Sequence, residues 1–318
     1  MIGKFQIVIH DSRVRYELEL ERKITIIKGN SGTGKTTLYE LVYDLKRQRQ
    51  SFIKCIYENR VMALTEENWK SEITKYENRF LFVDEGLHFV STLEFAEYVQ
   101  KSGNFFVIIS RSGRLKWLPY SVNSIFEITG EKRGSIMFNR LFARYAENHD
   151  SNINPALVIT EDAKSGYQMM NYMLKCGVEP ASGNGNIKNM IHSYSDRGIL
   201  CVIADGAAFG AFVGEVSSLL KLNGGYLYTP ESFEFMLLHA KAFQRYLGEE
   251  LTETYQYCDF AEFSSWERYY TDLLNRLCSK FPIQSYSKHK LDDFFYEKQF
   301  TDVVKEFLSD LDASLFAI

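Results

Sequence analysis

The chain has no long apolar run, few cysteines and no general excess of positive charge. None of its apolar segments approaches the ~20 residues of a membrane-spanning helix, and the first residues, "MIGKFQIVIHDSR", lack the apolar segment of a signal peptide. We therefore expect a cytoplasmic protein without membrane contact. The cysteines show no C-x-x-C spacing and are odd in number, which argues against a disulfide framework. We interpret all five as small buried apolar residues: Cys55, Cys176, Cys201, Cys258 and Cys278.

The charge of the chain is divided unevenly. Residues 1–150 carry 23 Lys and Arg against 19 Asp and Glu, whereas residues 151–318 carry 14 against 22. The broad basic face of a high-affinity DNA-binding protein is therefore missing. Contact with DNA or RNA would have to use local basic patches, "LKRQRQ" (Leu45 to Gln50) or "SRSGRLK" (Ser110 to Lys116). Each patch is alternatively an ordinary solvated surface.

The length of 318 residues exceeds what one hydrophobic core usually organises. A polar segment that ends in proline, "AENHDSNINP" at 146–155, indicates a domain boundary. We predict three regions: a nucleotide-binding domain at 1–150, an α/β domain at 151–240 and a helical C-terminal region at 241–318.

The segment "TIIKGNSGTGKTTLYELV" (Thr25 to Val42) has the spacing G-x-x-x-x-G-K-S/T between an apolar strand and a helix. Glycine permits the positive φ angles that turn backbone N–H groups towards phosphate oxygens. We expect Lys35 to reach the β- and γ-phosphates of ATP and the Thr36 hydroxyl to bind Mg²⁺. The alternative is a glycine-rich turn without a ligand. The predicted nucleotide-binding residues are Gly29, Asn30, Ser31, Gly32, Thr33, Gly34, Lys35, Thr36 and Thr37.

A second motif, "RFLFVDEG", places Asp84 and Glu85 at the end of an apolar strand, as in a Walker B motif. Asp84 is expected to hold Mg²⁺, and Glu85 to polarise the attacking water. Alternatively, the two acids only cap the next helix. The following apolar strand ends in "SRSGR" and resembles the sensor strand of P-loop ATPases of the additional-strand type. This resemblance implies that Ser110 contacts the γ-phosphate or the water. Arg111 or Arg114 would stabilise transition-state charge, in cis or across a dimer, unless these arginines are surface residues.

The first region is expected to form an α/β fold. "KFQIVIH" and "RYELELE" alternate and predict an antiparallel pair. Several short apolar strands alternate with helices after the phosphate loop and predict a parallel sheet covered on both faces. With these motifs the region resembles P-loop ATPases of the additional-strand type. No "LSGGQ"-like signature or long coiled-coil insertion is present, which predicts a compact module.

Acidic residues follow two strands and precede helices in the second region. Glu161 and Asp162 follow "ALVIT", and Asp205 follows "LCVIA", while Glu234 lies in a later helix. The carboxyl ends of parallel strands meet at one sheet edge. Such carboxylates repel each other unless a divalent cation neutralises them, so we predict Mg²⁺ or Mn²⁺ there. Alternatively, these acids only cap helices.

The order of these parts resembles the OLD family of ATP-dependent nucleases in bacterial anti-phage defence, in which a P-loop ATPase precedes a Toprim domain. The likeness lies in "LVITEDAKS", "GNGNI", "VIADGAAFG" and "PESFEFML". It implies metal-dependent phosphodiester cleavage with Glu161 and Asp205 as principal ligands. The family's D-x-D motif is here Asp205, Gly206, Ala207, without its second aspartate. Two-metal cleavage needs ligands for both ions, so the site would hold one metal or be inactive unless another acid substitutes.

After Thr229 the chain carries Phe, Tyr and Leu at helical spacing, as in "SWERYYTDLLNRL". This pattern predicts amphipathic helices whose aromatic residues form the core or an oligomer contact, although aromatic rings can also stack on bases.

Three functions remain open at this point. The first is an ATP-gated nuclease or nuclease-like effector. The second is an ATP-dependent regulatory or assembly protein with a degenerate Toprim-like domain, acting through a partner protein or as a homo-oligomer. The third, a small-molecule kinase, leaves the large second region unexplained.

Overall fold

The computed structural model describes residues 2–30, 32–47, 53–110, 115–145, 152–281 and 285–317. The chain forms two compact units, Met1–Ala146 with Glu253–Ser265, and Glu147–Thr252 with Trp266–Ile318. Two residues predicted at the nucleotide site, Ser31 and Arg111, lie outside the described residues, as do Arg114 and parts of both basic patches. None of the helices in the described ranges is long and apolar enough to cross a membrane.

The strands of the first unit form one mixed sheet. In chain order they are β1 (Phe5–His10), β2 (Val14–Leu20), β3 (Ile24–Lys28), β4 (Lys54–Cys55), β5 (Val61–Ala63), β6 (Phe80–Asp84), β7 (Phe105–Ile109), β8 (Ile125–Arg133) and β9 (Ile136–Ala143). Across the sheet the order is β4-β1-β2-β9-β8-β3-β7-β6-β5. Strands β8, β3, β7, β6 and β5 are parallel to one another, whereas the pairs β1–β2 and β8–β9 are antiparallel.

This topology corrects and confirms parts of the sequence prediction. The antiparallel pair near the N-terminus is confirmed, with Phe5 opposite Leu20. The sheet as a whole is mixed and not purely parallel, because β9 links this pair to the parallel strands. Strands β3, β6 and β7 have uninterrupted buried runs, as expected for the parallel strands of a covered sheet. Strand β7 lies between β3 and β6, so the ends of all three strands are neighbours.

Three α-helices accompany the sheet in the described part of the first unit: α1 (Lys35–Arg47), α2 (Trp69–Lys75) and α3 (Leu93–Lys101). Helix α3 begins after Thr92, whose hydroxyl accepts a hydrogen bond from the Phe95 N–H at 3.2 Å. This cap satisfies one of the N–H groups that a helix start leaves unpaired. The helix then buries Phe95 and Val99.

The second unit has a separate, fully parallel sheet in the order β11-β10-β12-β13. Its strands are β10 (Leu157–Thr160), β11 (Gly177–Pro180), β12 (Leu200–Ile203) and β13 (Tyr226–Tyr228). The described helices are α4 (Ser165–Met173), α5 (Ile187–Tyr194), α6 (Gly206–Phe209), α7 (Val213–Leu222), α8 (Phe233–Leu238), α9 (Lys241–Gln244), α10 (Trp266–Cys278) and α11 (Lys298–Phe307). Thr160 lies opposite Ile203 in the sheet, so the residues that follow β10 and β12 emerge side by side. The α/β class predicted for the chain is confirmed in both units.

The aromatic residues of the C-terminal helices belong to the core of the second unit. Tyr270, Phe295 and Phe300 are each at most 1% exposed, and α8 packs against both α10 and α11. All five cysteines are free; three are buried, while Cys55 and Cys176 are half-buried. The expectation of small buried residues therefore holds for three of the five.

Candidate functional sites

The glycine-rich loop between β3 and α1 closes around the side chain of Lys35. Gly29, Gly32 and Gly34 all have positive φ angles, which residues with a Cβ adopt at a cost. The Lys35 ammonium donates hydrogen bonds to the carbonyl oxygens of Gly29 at 2.7 Å and Asn30 at 2.6 Å, and to the Thr33 hydroxyl at 2.9 Å. The loop thus holds the Lys35 ammonium against two carbonyl oxygens and a hydroxyl, directly at the start of helix α1.

A tyrosine that the sequence analysis missed supports this loop from β2. The Tyr16 hydroxyl donates a hydrogen bond of 2.6 Å to the carbonyl oxygen of Gly34 and is also hydrogen-bonded to the side chain of Thr37. Burial raises the pKa of Tyr16 to about 12, so the hydroxyl remains a donor. A Cβ added to Gly34 would lie 2.7 Å from the Tyr16 hydroxyl oxygen. Because Tyr16 and Gly34 are 18 residues apart in the chain, no local sequence pattern indicates this contact.

The two acids predicted from "RFLFVDEG" lie beside the loop. Lys35, Thr36, Asp84 and Glu85 line one cleft of about 700 Å³ in the first unit, within the range of ligand pockets. Asp84 is the last residue of β6, and its carboxylate accepts a hydrogen bond of 2.9 Å from the Gly86 N–H. The structure therefore brings together the lysine, the hydroxyl and the two carboxylates that the motifs predict.

Ser110 connects the neighbouring strand β7 to this cleft. Its N–H donates to the carbonyl oxygen of Ile27 at 3.0 Å, which fixes it beside the strand that leads into the loop. Its hydroxyl donates to Glu85 Oε2 at 3.3 Å. Ser110 is fully buried, so it orients the Glu85 carboxylate from the inside of the fold. Ser110 therefore contacts Glu85, the residue that is predicted to polarise the attacking water.

The same cleft extends along α1, where Tyr39 and Tyr43 also line it. Their rings lie nearly parallel, at 18°, with centroids 6.3 Å apart. Burial, followed by the negative charge of Asp84, raises the pKa of Tyr39 to about 12. The Tyr39 hydroxyl donates to the carbonyl oxygen of Leu64, which fixes the ring at the side of the cleft.

The predicted acids of the second unit line a common, small cavity. Its volume is about 90 Å³. The charged residues that line it are Glu161, Asp162, Lys164, Asp205, Glu234, Glu267 and Lys288. Glu161 and Asp205 follow adjacent parallel strands, and the Asp205 N–H donates to Glu161 Oε2 at 3.3 Å. The Gly183 N–H, from the predicted glycine turn, donates to the carbonyl oxygen of Glu161 at 2.7 Å. The strand ends thus meet as the sequence predicts.

Glu161 and Asp205 both hold their protons more strongly than ordinary carboxyl groups. Burial raises the pKa of Glu161 to about 7; the Asp205 N–H acts in the opposite direction, and the charge of Asp162 adds to the rise. Burial also raises the pKa of Asp205 well above its usual value, with further contributions from the charges of Glu234 and Glu161. A divalent cation would reverse this effect, because it stabilises the ionised forms.

Asp162 is engaged by a neighbouring lysine. The Lys164 ammonium lies 2.6 Å from Asp162 Oδ2, and the Lys164 N–H donates to Asp162 Oδ1 at 2.9 Å. Asp162 therefore lies at the rim of the cavity with its charge already balanced. Ala207, the residue at the missing aspartate position, is 4% exposed in α6 and brings no ligand.

Glu234 is the most buried acid of the cavity, at 1% exposure. Its Oε1 accepts a hydrogen bond of 2.9 Å from the Tyr286 hydroxyl and lies 3.2 Å from the Lys288 ammonium. Its Oε2 is buried without a hydrogen-bond partner among the described residues. A buried carboxylate oxygen without a donor is costly.

Three residues of this cavity were not predicted from the sequence: Glu267, Tyr286 and Lys288. Glu267 Oε1 lies 2.6 Å from the Lys288 ammonium. Burial by itself lowers the pKa of Lys288, but the charges of Glu234 and Glu267 outweigh it and raise the pKa above its ordinary value. Lys288 is thus a permanent cation within the acidic cavity. Nothing in its local sequence, "YSKHK", distinguishes it from a surface lysine.

A metal ion at this edge was predicted from four acids: Glu161, Asp162, Asp205 and Glu234. Within the ranges that the structure describes, no three Asp, Glu, His or Cys side chains are arranged so that they could hold a metal ion as they stand. Glu161 and Asp205 are two neighbouring carboxylates, and Mg²⁺ is often held by one or two carboxylates with waters and phosphates.

Comparisons of the chain with protein-family models, with curated proteins and with solved structures find no significant match.

Proposed function

We propose that the first unit binds and hydrolyses ATP. The observation that carries this proposal is the cleft shared by Lys35, Thr36, Asp84 and Glu85. The position of β7 between the strands of the two motifs further supports the likeness to P-loop ATPases of the additional-strand type.

Each group has a defined role in this proposal. The loop amides and the Lys35 ammonium bind the β- and γ-phosphates. Thr36 and Asp84 would hold Mg²⁺, which supplies positive charge at the phosphates. Glu85 accepts a proton from the water that attacks the γ-phosphorus, while the bond to the ADP oxygen breaks. Ser110 holds Glu85 in position through its 3.3 Å hydrogen bond.

The experiment compares the purified chain with Glu85→Gln. We expect magnesium-dependent phosphate release from ATP by the unaltered chain and a loss of at least ~100-fold in the variant, since one well-placed catalytic group contributes this much. Binding of ATP should persist in Glu85→Gln. Equal turnover in both proteins would reject Glu85 as the base, and an absence of hydrolysis in both would reject the ATPase.

For the second unit we propose metal-dependent cleavage of DNA or RNA, under control of the nucleotide state of the first unit, as in OLD-family nucleases of anti-phage defence. Support comes from Glu161, Asp205 and the unpartnered Oε2 of Glu234, which line one cavity. Glu161 and Asp205 would hold Mg²⁺ or Mn²⁺, and that ion would polarise a phosphate oxygen of the nucleic acid.

The test is cleavage of single- and double-stranded DNA and of RNA with Mn²⁺ or Mg²⁺, with and without ATP. Asp205→Asn should abolish cleavage. Asp196→Asn, which alters an exposed acid of the same unit, should leave it unchanged. Equal cleavage by Asp205→Asn and the unaltered chain would indicate a contaminating nuclease.

A second candidate is an ATP-dependent regulatory protein whose second unit binds a partner protein or another copy of the chain. The observations that favour it are the buried Ala207 and the engagement of Asp162 by Lys164. ATP-dependent oligomerisation or partner capture without any cleavage would select this candidate.

A further inference from the structure

An asparagine of the first unit is buried although its side chain has no hydrogen-bond partner. Asn139 lies in β9 and is 5% exposed. Its backbone belongs to the β8–β9 ladder, but its side-chain amide forms no hydrogen bond with any residue in the described ranges. An amide carries two N–H donors and an acceptor oxygen, and buried polar groups are nearly always paired. The side chain of Asn139 therefore points to a ligand.

The neighbouring strand shows that Asn139 lies on the face of the sheet that is turned towards the phosphate loop. Asn139 is opposite Tyr16 of β2, and side chains of directly opposite residues project from the same face. The Tyr16 hydroxyl donates to the carbonyl oxygen of Gly34 at 2.6 Å, so this face is directed at the loop. Because neighbouring strands lie ~5 Å apart, Asn139 is only one strand away from the tyrosine that contacts the loop.

A glycine on the other neighbouring strand leaves the space that the amide occupies. Gly130 of β8 is opposite Asn139. It is exposed and its φ angle is not positive, so its backbone conformation does not require glycine. A Cβ added to Gly130 would lie 2.6 Å from Asn139 Oδ1 and 3.0 Å from Met137 Sδ. Glycine inside a strand often marks the close approach of a ligand or another chain segment.

The next residues on the same face are apolar. Met137 of β9 is 40% exposed and lies opposite the half-buried Val14 of β2. Residues two apart on a strand project from the same face, so Met137 and Val14 form an apolar surface beside the amide of Asn139. A purine base has the complementary pattern, because its faces are apolar and its edge carries hydrogen-bond donors and acceptors.

We propose that Asn139 binds the adenine base of ATP and makes the first unit selective for adenine over guanine nucleotides. This inference rests on the proposed binding of the phosphates by the loop from Gly29 to Thr36. The amide donates a hydrogen bond to N7 of adenine and accepts one from its N6 amino group, while Met137 and Val14 contact the face of the ring. Guanine has an acceptor oxygen in place of this amino group, so the carbonyl oxygen of Asn139 would face another acceptor.

The experiment measures the binding of three ligands by calorimetry in the presence of Mg²⁺. They are non-hydrolysable analogues of ATP and GTP, and inorganic tripolyphosphate, which has no base. We expect the unaltered chain to bind the ATP analogue about tenfold more tightly than the GTP analogue. Asn139→Ala should weaken binding of the ATP analogue about tenfold, and leave the affinities for the GTP analogue and for tripolyphosphate unchanged.

Two further variants separate the role of the amide from general effects on the protein. Gly130→Ala, whose Cβ displaces the Asn139 amide, should reduce the preference for the ATP analogue as Asn139→Ala does. Asn59→Ala, at an exposed asparagine of the same unit, should leave all three affinities unchanged.

Equal affinities of the unaltered chain for the two analogues would overturn the inference, as would an unchanged preference for the ATP analogue in a folded Asn139→Ala protein. If Asn139→Ala does not fold, the preference of the unaltered chain and its loss in Gly130→Ala still decide. Binding of tripolyphosphate and of both analogues without discrimination would reject only the role of Asn139. An absence of binding for all three ligands would reject the proposed ATP site as well.

Discussion

The phosphate loop of the first unit takes most of its groups from residues 29–36, whereas the acidic cavity of the second unit is lined by charged residues from five separate segments between Glu161 and Lys288. Each site contains a buried or half-buried lysine. Lys35 donates to two backbone carbonyls and a hydroxyl, all uncharged. Lys288 contacts two carboxylates. In the proposed function the first lysine binds an incoming anion, while the charge of the second is balanced within the fold.

The comparison shows that the two lysines differ because the groups that accept their hydrogen bonds differ. A lysine held by carbonyl oxygens can exchange them for phosphate oxygens, which bear a negative charge. A lysine between two acids leaves its place only if those acids gain another cation. Changes in the first site should therefore affect anion binding, and changes in the second site should affect cation binding. The predictions below test this distinction, from the largest effect to the smallest.

Replacement of the lysine in the contiguous loop should have the largest effect. Lys35→Ala is expected to lower the rate of ATP hydrolysis by about 10²–10³-fold, the usual effect of removing a charge-stabilising donor. The control, Lys132→Ala, removes an exposed lysine of the same unit and should leave the rate unchanged. The rate of ATP hydrolysis is measured as phosphate release. Similar decreases of this rate in both variants would show that Lys35 has no special role.

The support of the loop by Tyr16 can be tested with two glycines. Gly34 and Gly134 have positive φ angles of 84° and 63°, but only at Gly34 would a Cβ approach another side chain, at 2.7 Å from the Tyr16 hydroxyl oxygen. The φ cost to alanine is ~1–2 kcal/mol at either position. We expect Gly34→Ala to weaken ATP binding by at least ~10-fold and Gly134→Ala to lower thermal stability without changing ATP affinity. Equal ATP affinities in the two variants would contradict the role of this contact.

The second site should show a pH-dependent affinity for Mn²⁺. Burial raises the pKa of Glu161 to about 7 and that of Asp205 well above normal. A carboxyl group whose pKa is raised in the folded state contributes to the stability of the metal-free protein. The contribution is complete below the pKa of the unfolded chain, ~4, and it is lost as the pH rises through 7. Mn²⁺ must displace these protons, so its affinity should increase about tenfold per pH unit for each proton displaced, and the contribution of Glu161 should level off above pH 7.

Calorimetric titration with Mn²⁺ between pH 5.5 and 8 measures this dependence. Every protein carries Asp84→Asn, which removes the predicted metal ligand of the first unit. Glu161→Gln should flatten the curve, whereas Asp196→Asn should not. An affinity independent of pH across this range would contradict the assignment of Glu161 as a ligand.

The smallest effect is expected for Ser110. Ser110→Ala removes the 3.3 Å hydrogen bond to Glu85, and a neutral hydrogen-bond donor contributes ~1 kcal/mol, or about fivefold in rate. We expect kcat for ATP hydrolysis to fall by this factor with KM unchanged. Ser71→Ala, at an exposed serine of α2, is the matched control. A rise in KM without a change in kcat would indicate that Ser110 binds substrate instead of orienting Glu85.

The sequence predicts the parts of the molecule that depend on neighbouring residues. The loop from Gly29 to Thr36, the strand ending in Asp84 and the acids Glu161 and Asp205 all belong to short local patterns, and the structure places each at the expected strand or helix end. Where a site depends on pairing between distant segments, the sequence carries no such signal. Tyr16, Glu267 and Lys288 are examples.

Strands β9 and β11 were also missed, for physical reasons. Strand β9 joins the antiparallel pair to the parallel strands, but most of its residues are exposed or only partly buried, so buried and exposed positions do not alternate clearly. Strand β11 is a short edge strand that contains glycine and ends in proline, residues that normally argue against a strand. Its place is fixed by parallel pairing with β10, which becomes visible only in the folded chain.

The central claim is that the amides of residues 29–36 and the Lys35 ammonium bind the phosphates of ATP. The most direct measurement is calorimetric titration of the unaltered chain with a non-hydrolysable ATP analogue and Mg²⁺. We predict saturable binding of one nucleotide per chain. An absence of binding at millimolar nucleotide and magnesium would contradict the claim.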